Sequence, residues 1–250
     1  MPYEFDHIVI IARDKITLIA ERMKNLGFQL TPLAKHNLGS CNQLAMLSTT
    51  YIEVLGWEEG TTPQRKEIAD LAIGLDALVF RTSNAFECFD NLQSLGFSPN
   101  PVQDLSRPAQ VDGKEELAKF KTVRFSSQPI PGLRIYFCEH LTPDYLWFDD
   151  VLEHPNLSNH LREIMIETPQ LVNTSNSLMQ LLGLSEVNIL KSNDEYAFML
   201  PNCTLVIRED TSLPLTKITS VKINHQLENG LIDTRVNEIT LSHQLCEVIQ

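Results

Sequence analysis

Two polar side chains stand inside apolar runs near the start of the chain, His7 in FDHIVIIARD and Glu53 in YIEVLGW. Buried without a partner, a carboxylate either costs several kcal/mol or stays protonated. Imidazole with carboxylate is a donor pair suited to zinc, iron, manganese or nickel, and a glutamate in an apolar setting is also a candidate general base. The plainer alternatives are a core histidine bonded to a backbone carbonyl and a glutamate at a barrel mouth open to water. In strand alternation Glu53 shares a face with Tyr51 and Leu55, while Ile52 and Val54 face the other way. Arg124 or Arg134 could supply its counter-charge. Between the two strands lies a polar loop holding His36, Gly39 and Asn42. Its glycine permits a tight turn, and its His and Asn could donate to a substrate carbonyl or carboxylate. Equally, such a loop can spend its polar groups on its own backbone.

The elements that must position these groups repeat along the chain. Residues 5–12 are apolar on both faces, with Phe5, His7, Val9 and Ile11 on one and Ile8, Ile10 and Ala12 on the other, as in a strand covered on both sides. Asp14 is placed to cap a helix through Ile16, Ile19, Ala20, Met23 and Leu26, stopped by Gly27. Strands are expected at 43–48 and 51–56. The order recurs from Leu75, with Asn84 and Glu87 resembling a capping box and Gly96 as the stop, and again from Leu161 to Gly183. His7 to Gly27, Ala77 to Gly96 and Glu163 to Gly183 are about 20 residues each, the mark of an internal repeat. A fourth unit, LTKITSVKIN with VNEITLS, lacks room for a helix and reads as degenerate. The resulting organisation is α+β: paired modules over 1–139, a linker over 140–159, and a third module with a degenerate fourth over 160–250. Residues 98–116 read as a long irregular loop of the kind that forms lids.

Composition excludes several functions. A formal charge of −12 disfavours binding to a phosphate backbone, so no nucleic-acid partner is expected. The five cysteines, Cys41, Cys88, Cys138, Cys203 and Cys246, form no CxxC pair, which argues against a disulfide framework and a thiolate zinc knuckle. The N-terminal MPYEFDHIVI does not resemble a secretory leader, and no apolar run approaches membrane-spanning length. A cytoplasmic protein without a membrane partner is the expectation. Phosphate loops of the GxxxxGK[ST] or GxGxxG type and a GxSxG elbow are absent. His140, His154 and His160 share no metal-ligand spacing and read as exposed loop histidines.

Phe5-Asp6-His7-Ile8-Val9, Leu26-Gly27-Phe28, His36 with Gly39 and Asn42, Tyr51-Ile52-Glu53, the run Glu139-His140-Leu141-Thr142-Pro143-Asp144 through Trp147, and His154-Pro155-Asn156 occur here in order. Together with the repeat they resemble the glyoxalase-like subfamily of the vicinal oxygen chelate superfamily. That resemblance implies repeated βαβββ modules forming half-barrel mixed β-sheets around a cavity. It also implies a divalent ion (zinc, iron, manganese or nickel) held by His7 and Glu53, with Glu139 or His140 completing the set, because Ala77 stands where a second histidine would. Glu53 and His36 become the catalytic candidates, and His36, Asn42 and Arg124 the substrate-binding ones. The implied function is a metal-dependent lyase, isomerase or dioxygenase acting on a small oxygenated metabolite, with a homodimer as an assembly to test. The alternative is a protein of the same fold that binds or sequesters a small molecule without catalysis, as the loss at Ala77 suggests.

Overall fold

A computed structural model of the chain describes residues 3–245 apart from 38, 62, 64, 65 and 112. One sheet contains β1 (Glu4–Arg13), β2 (Ala34–Lys35), β3 (Cys41–Met46), β4 (Tyr51–Gly56), β5 (Gly74–Arg81), β6 (Gln103–Val111), β7 (Lys114–Val123) and β8 (Arg134–His140). A second contains β9 (His160–Thr168), β10 (Ile189–Lys191), β11 (Glu195–Met199), β12 (Thr204–Glu209), β13 (Lys217–Asn224) and β14 (Ile239–Ser242). The helices are α1 (Ile16–Asn25), α2 (Lys66–Ala69), α3 (Ala85–Ser94), α4 (Asp149–Leu152) and α5 (Leu171–Leu182).

The repeat is visible in the pairing. In the order β2-β3-β4-β1-β5-β8-β7-β6, β1 runs parallel to β4 and antiparallel to β5, and β5 runs parallel to β8. The second sheet, β10-β11-β12-β9-β13-β14, repeats the first half, with β9 parallel to β12 and antiparallel to β13. This is the α+β fold of βαβββ modules with half-barrel mixed sheets. No helix of the described residues is long and apolar enough to cross a membrane.

Two apolar cores follow from strands covered on both faces. Ile8, Ile10, Ile52, Val54, Leu78, Phe80 and Phe137 pack with α1, α3 and α5 and with Leu161, Ile164, Ile166 and Ile207 of the second sheet. Val9, Ile11, Leu44, Met46, Tyr51, Leu55, Val79 and Tyr136 fill the inside of the eight-stranded curl. The curl nearly closes on itself: Asn37 N–H donates to Ser106 O at 3.0 Å, and Ser106 N–H to Asn37 Oδ1 at 3.2 Å. These bonds join the chain just after β2 to β6, the strands at opposite edges of the sheet.

Three local expectations are corrected. Strict alternation placed Phe5 beside His7, but Phe5 pairs with Phe80 and His7 with Val79, so Asp6 is an extra residue in β1. Such a bulge reverses facing on one side of it, and Phe5 packs between the sheets while His7 faces the curl. Asp14 does not cap α1; the cap position is Lys15, whose Nζ donates to Asp14 Oδ2 at 3.0 Å. The stretch 98–116 is no lid loop, since β6 and the start of β7 form a hairpin there. Pro108 is tolerated because β6 is an edge strand. At the second capping site the expectation holds in part. Asn84 Oδ1 accepts from Phe86 and Glu87 N–H, whereas Glu87 bonds the Asn84 side chain and not its backbone.

Gly56, at the end of β4, lies against a register shift in β1, where an added Cβ would stand 2.1 Å from Arg13 O. Gly56→Ala should therefore lower stability by about 1–3 kcal/mol through overpacking. Urea unfolding checks this, and because Gly56 lies outside the left-handed region no backbone strain of that kind adds to the loss. An unchanged midpoint in Gly56→Ala would sink the packing account.

Candidate active site

The curl of the eight-stranded sheet gathers residues that lie far apart in the chain. His7 from β1 and Glu53 from β4 face the same hollow, with His7 Nε2 3.7 Å from Glu53 Oε2. They are 3% and 6% exposed. Asn42, at the start of β3, donates from Nδ2 to Glu53 Oε1 at 2.7 Å and accepts at Oδ1 from Arg107 Nη1 at 3.1 Å. His36 stands beside them, its Nε2 3.9 Å from Glu53 Oε1 and 3.2 Å from Asn42 Nδ2, and its Nδ1 2.9 Å from Ser40 Oγ. The loop carrying His36 turns at Gly39, whose φ is 83°. Part of its backbone bonds to itself, as His36 N–H does to Ser40 O and Gly39 N–H to His36 O, and it still presents His36 and Asn42 to the hollow. Arg124 lies over the Tyr136 ring at 4.6 Å, and Tyr136 Oη lies 3.2 Å from His7 Nε2. The hollow these groups line has a free volume of about 30 Å³, room for a single water.

Behind His7 lies a carboxylate fully shut away from solvent. Asp6 Oδ1 is 2.7 Å from His7 Nδ1, while Asp6 Oδ2 takes His140 Nε2 at 2.7 Å and Arg81 Nε at 2.9 Å. Burial pushes this carboxyl up, but the His140 charge and the bonds from both imidazoles outweigh it and hold Asp6 well below the usual carboxylate range. A proton on His7 Nδ1, directed at Asp6, leaves Nε2 to accept from the Tyr136 hydroxyl. His7 also stacks on Tyr51 with ring centroids 4.2 Å apart. Burial, followed by nearby negative charge, pushes the Tyr51 and Tyr136 phenols up, which keeps both protonated at neutral pH.

The other sequence candidates separate. Glu139 is not brought to the hollow: its Oε2 accepts from Ala85 N–H at 2.9 Å, at the start of α3. It was placed by its nearness to the strand end, whereas register decides equivalence. Val9 faces Glu53 across β1 and β4, and Val79 faces Tyr136 across β5 and β8, so Tyr136 is the counterpart of Glu53 as Ala77 is of His7. His140 lies on the far side of Asp6, at the wall of a separate cavity of about 880 Å³ with Arg81 and Trp147. It is not an exposed loop histidine, and neither is His154, which is buried and bonds Gln29 N–H and Met46 O at 2.9 and 2.7 Å. Glu163, the third-module counterpart of His7, pairs with Lys222 at 2.7 Å. Arg134 pairs with Asp76. Asp6, Tyr136 and Arg107 were missed by the sequence reading. The alternation in LRIYFCE and in DLSRPAQ would have found the latter two.

The divalent ion implied for this face does not fit these donors. Ala77 offers no ligand, and Tyr136 offers a phenol that burial keeps protonated. Arg107 and Arg124 bring positive charge to the walls of the same 30 Å³ hollow. Among the described residues, no three His, Cys, Asp or Glu side chains are grouped to hold a metal.

Asp6→Asn should cost about 3 kcal/mol at pH 7, because it leaves the groups around a buried charge uncompensated. A depressed carboxyl stabilises fully above its unfolded value of about 3.9, and that contribution disappears as pH falls through the lower folded value. The gap between wild type and variant in urea unfolding should thus narrow on acidification. A pH-independent gap would overturn the assignment.

Comparison with known proteins agrees with this architecture. A family profile described as "Glyoxalase-like domain" matches residues 5–182. A search of curated proteins finds no match. Among solved structures, a hypothetical protein from Staphylococcus aureus is similar at 14% identity, with a TM-score of 0.69 over 92% of this chain and 97% of the other. A mutant of 4-hydroxymandelate synthase from Streptomyces coelicolor matches at 14% identity and a TM-score of 0.50, covering 87% and 69% of the respective chains. BphC, a halotolerant catechol dioxygenase, matches at 9% identity and a TM-score of 0.51, covering 100% and 76%. At such identities the structural likeness speaks for the fold alone. The profile match spans more than two thirds of the chain, and with the paired βαβββ modules it places the chain in the glyoxalase-like domain family.

Proposed function

We propose that the hollow is an acid–base site for a small oxygenated metabolite, of the isomerase or lyase type, working without a resident divalent ion. One observation carries this reading: a buried carboxylate, Glu53, shares its hollow with two imidazoles, an amide, two phenols and two guanidinium groups where the fold's second ligand pair is Ala77 and Tyr136. In such a site Glu53 takes a proton from a carbon next to a carbonyl and returns it to a neighbouring carbon, or holds it while a group departs. The negative charge that develops on the carbonyl oxygen needs donors fixed in advance, which count for more in a dry site than in water. Arg124 is such a donor, and the Tyr136 hydroxyl becomes one by turning from His7, while Asp6 fixes the orientation of His7 beside Glu53. His36, set by Ser40, is the second group able to relay a proton.

The substrate enters when the seam between Asn37 and Ser106 parts, since the closed hollow admits only a water. Small molecules are the partners this reading requires, and the formal charge of −12 argues against a nucleic-acid backbone. A second reading, a protein that sequesters its ligand without turnover, is favoured by the loss at Ala77.

One experiment separates the readings. Protein purified without chelators should carry substoichiometric metal by mass spectrometry. In D₂O, NMR should show it exchanging the proton next to a carbonyl, on C2 of a 2-hydroxy acid or C3 of a 2-oxo acid, in at least one member of a panel of such acids. Glu53→Gln should slow that exchange by about 10²-fold or more. Stoichiometric metal lost in Glu53→Ala would restore the metal-dependent enzyme, and panel members bound but never exchanged would favour sequestration.

A further inference from the structure

One buried cation in the wall of the hollow has a donor to spare. Arg107, on β6, is 3% exposed. Its Nη1 serves Asn42, but its Nε is buried with no hydrogen-bond partner. Arginine keeps its charge in a protein interior, and its guanidinium fork matches a carboxylate in shape and charge. An unfilled buried donor on such a group is an open valence for an anion. Arg107 also lines a second cavity, of about 320 Å³, whose walls include Leu33, Pro108, Tyr145, Leu146 and Phe148. That volume lies within the range of small-molecule sites, and mainly apolar walls with one fixed polar group are their usual make-up. Its other charged residues are Lys35, paired with Glu58 at 2.8 Å, and the exposed Glu115.

We propose that this cavity receives the apolar tail of the substrate and that Arg107 takes its carboxylate, so the site is built for an amphipathic acid, a carboxylate with an aliphatic or aryl chain. The proposal rests on the acid–base reading and names the substrate class for it. Because Arg107 lines both spaces, a carboxylate held there lies against the wall of the hollow that Glu53 lines. An amine is repelled by the guanidinium, and an alcohol cannot use its charge.

Titration calorimetry with four probes tests this on the full chain. Hexanoate should bind about tenfold or more tightly than hexan-1-ol or hexylamine, the gain of a charge-assisted contact. It should exceed acetate by a similar factor or more, because its extra methylenes leave water. Arg107→Gln should erase the preference for hexanoate over hexan-1-ol. Should that variant fail to fold, Leu33→Asp, at an exposed side chain of the same cavity, should weaken hexanoate more than hexan-1-ol, because both tails lose an apolar wall and only hexanoate meets a like charge; an equal loss would overturn the proposal. Equal binding of the three six-carbon probes, no advantage over acetate, or an undiminished preference in folded Arg107→Gln would each overturn the proposal. Glu53→Gln should keep the preference for hexanoate, which separates the two ideas. Deuterium exchange without a carboxylate preference sinks the substrate class alone, whereas a carboxylate preference without exchange sinks the acid–base reading alone.

Discussion

The site depends on one carboxylate that never meets solvent. Asp6 is shared by two imidazoles and a guanidinium, from β1, β5 and β8, so a single side chain fixes three neighbouring strands at one end of the curl. It can do so because β1 spends an extra residue there. Without the bulge, Asp6 and His7 would point to opposite faces, and the carboxylate would turn toward Phe80 and Phe137 in the apolar core. The irregularity that spoils the alternation therefore allows an ion network to stand directly behind the histidine it orients.

The two halves of the eight-stranded sheet are related in backbone and opposed in chemistry. Their pairing is close enough that Ala77 and Tyr136 can be matched to His7 and Glu53 by register. Yet the first half supplies acid–base groups and the second supplies a phenol, a methyl group and Arg124. A symmetric scaffold has become a one-sided site, with reactive groups on one wall and a cation-bearing, aromatic wall opposite. That asymmetry is the physical reason for reading the hollow through hydrogen-bond donors and not through coordination.

Much of this was legible in the chain. The distance from strand to helix stop repeats, and two-residue alternation correctly placed Glu53 with Tyr51 and Leu55, so the meeting of His7 with Glu53 could be anticipated. The failures share a cause, since each needed pairing information that periodicity lacks. Phe5 was misplaced because a bulge leaves no mark in the hydrophobic pattern. Glu139 was chosen over Tyr136 because strand ends were compared where register was required. Arg107 was overlooked because Pro108 and the surrounding polar residues resemble a loop, although an edge strand accepts both. The histidines after β8 looked exposed because the turns around them are polar, yet His154 holds two backbone groups of the first module.

The seam of the curl carries a dynamic consequence. β2 is two residues long, and among the described residues the seam with β6 is held by the Asn37 side chain, by Arg107 reaching Asn42 of β3, and by the backbone bond from Asn37 to Ser106. Few seam hydrogen bonds among the described residues must break for the β6–β7 hairpin to swing outward, although Ala109, Ala118 and Phe120 must then leave the inner core. Amide protons along that hairpin would then trade with solvent by a sub-global opening far cheaper than unfolding. The barrel is, in effect, a cylinder with a hinge line, and under the proposed function the rate of that opening would set a ceiling on how fast a substrate reaches Glu53.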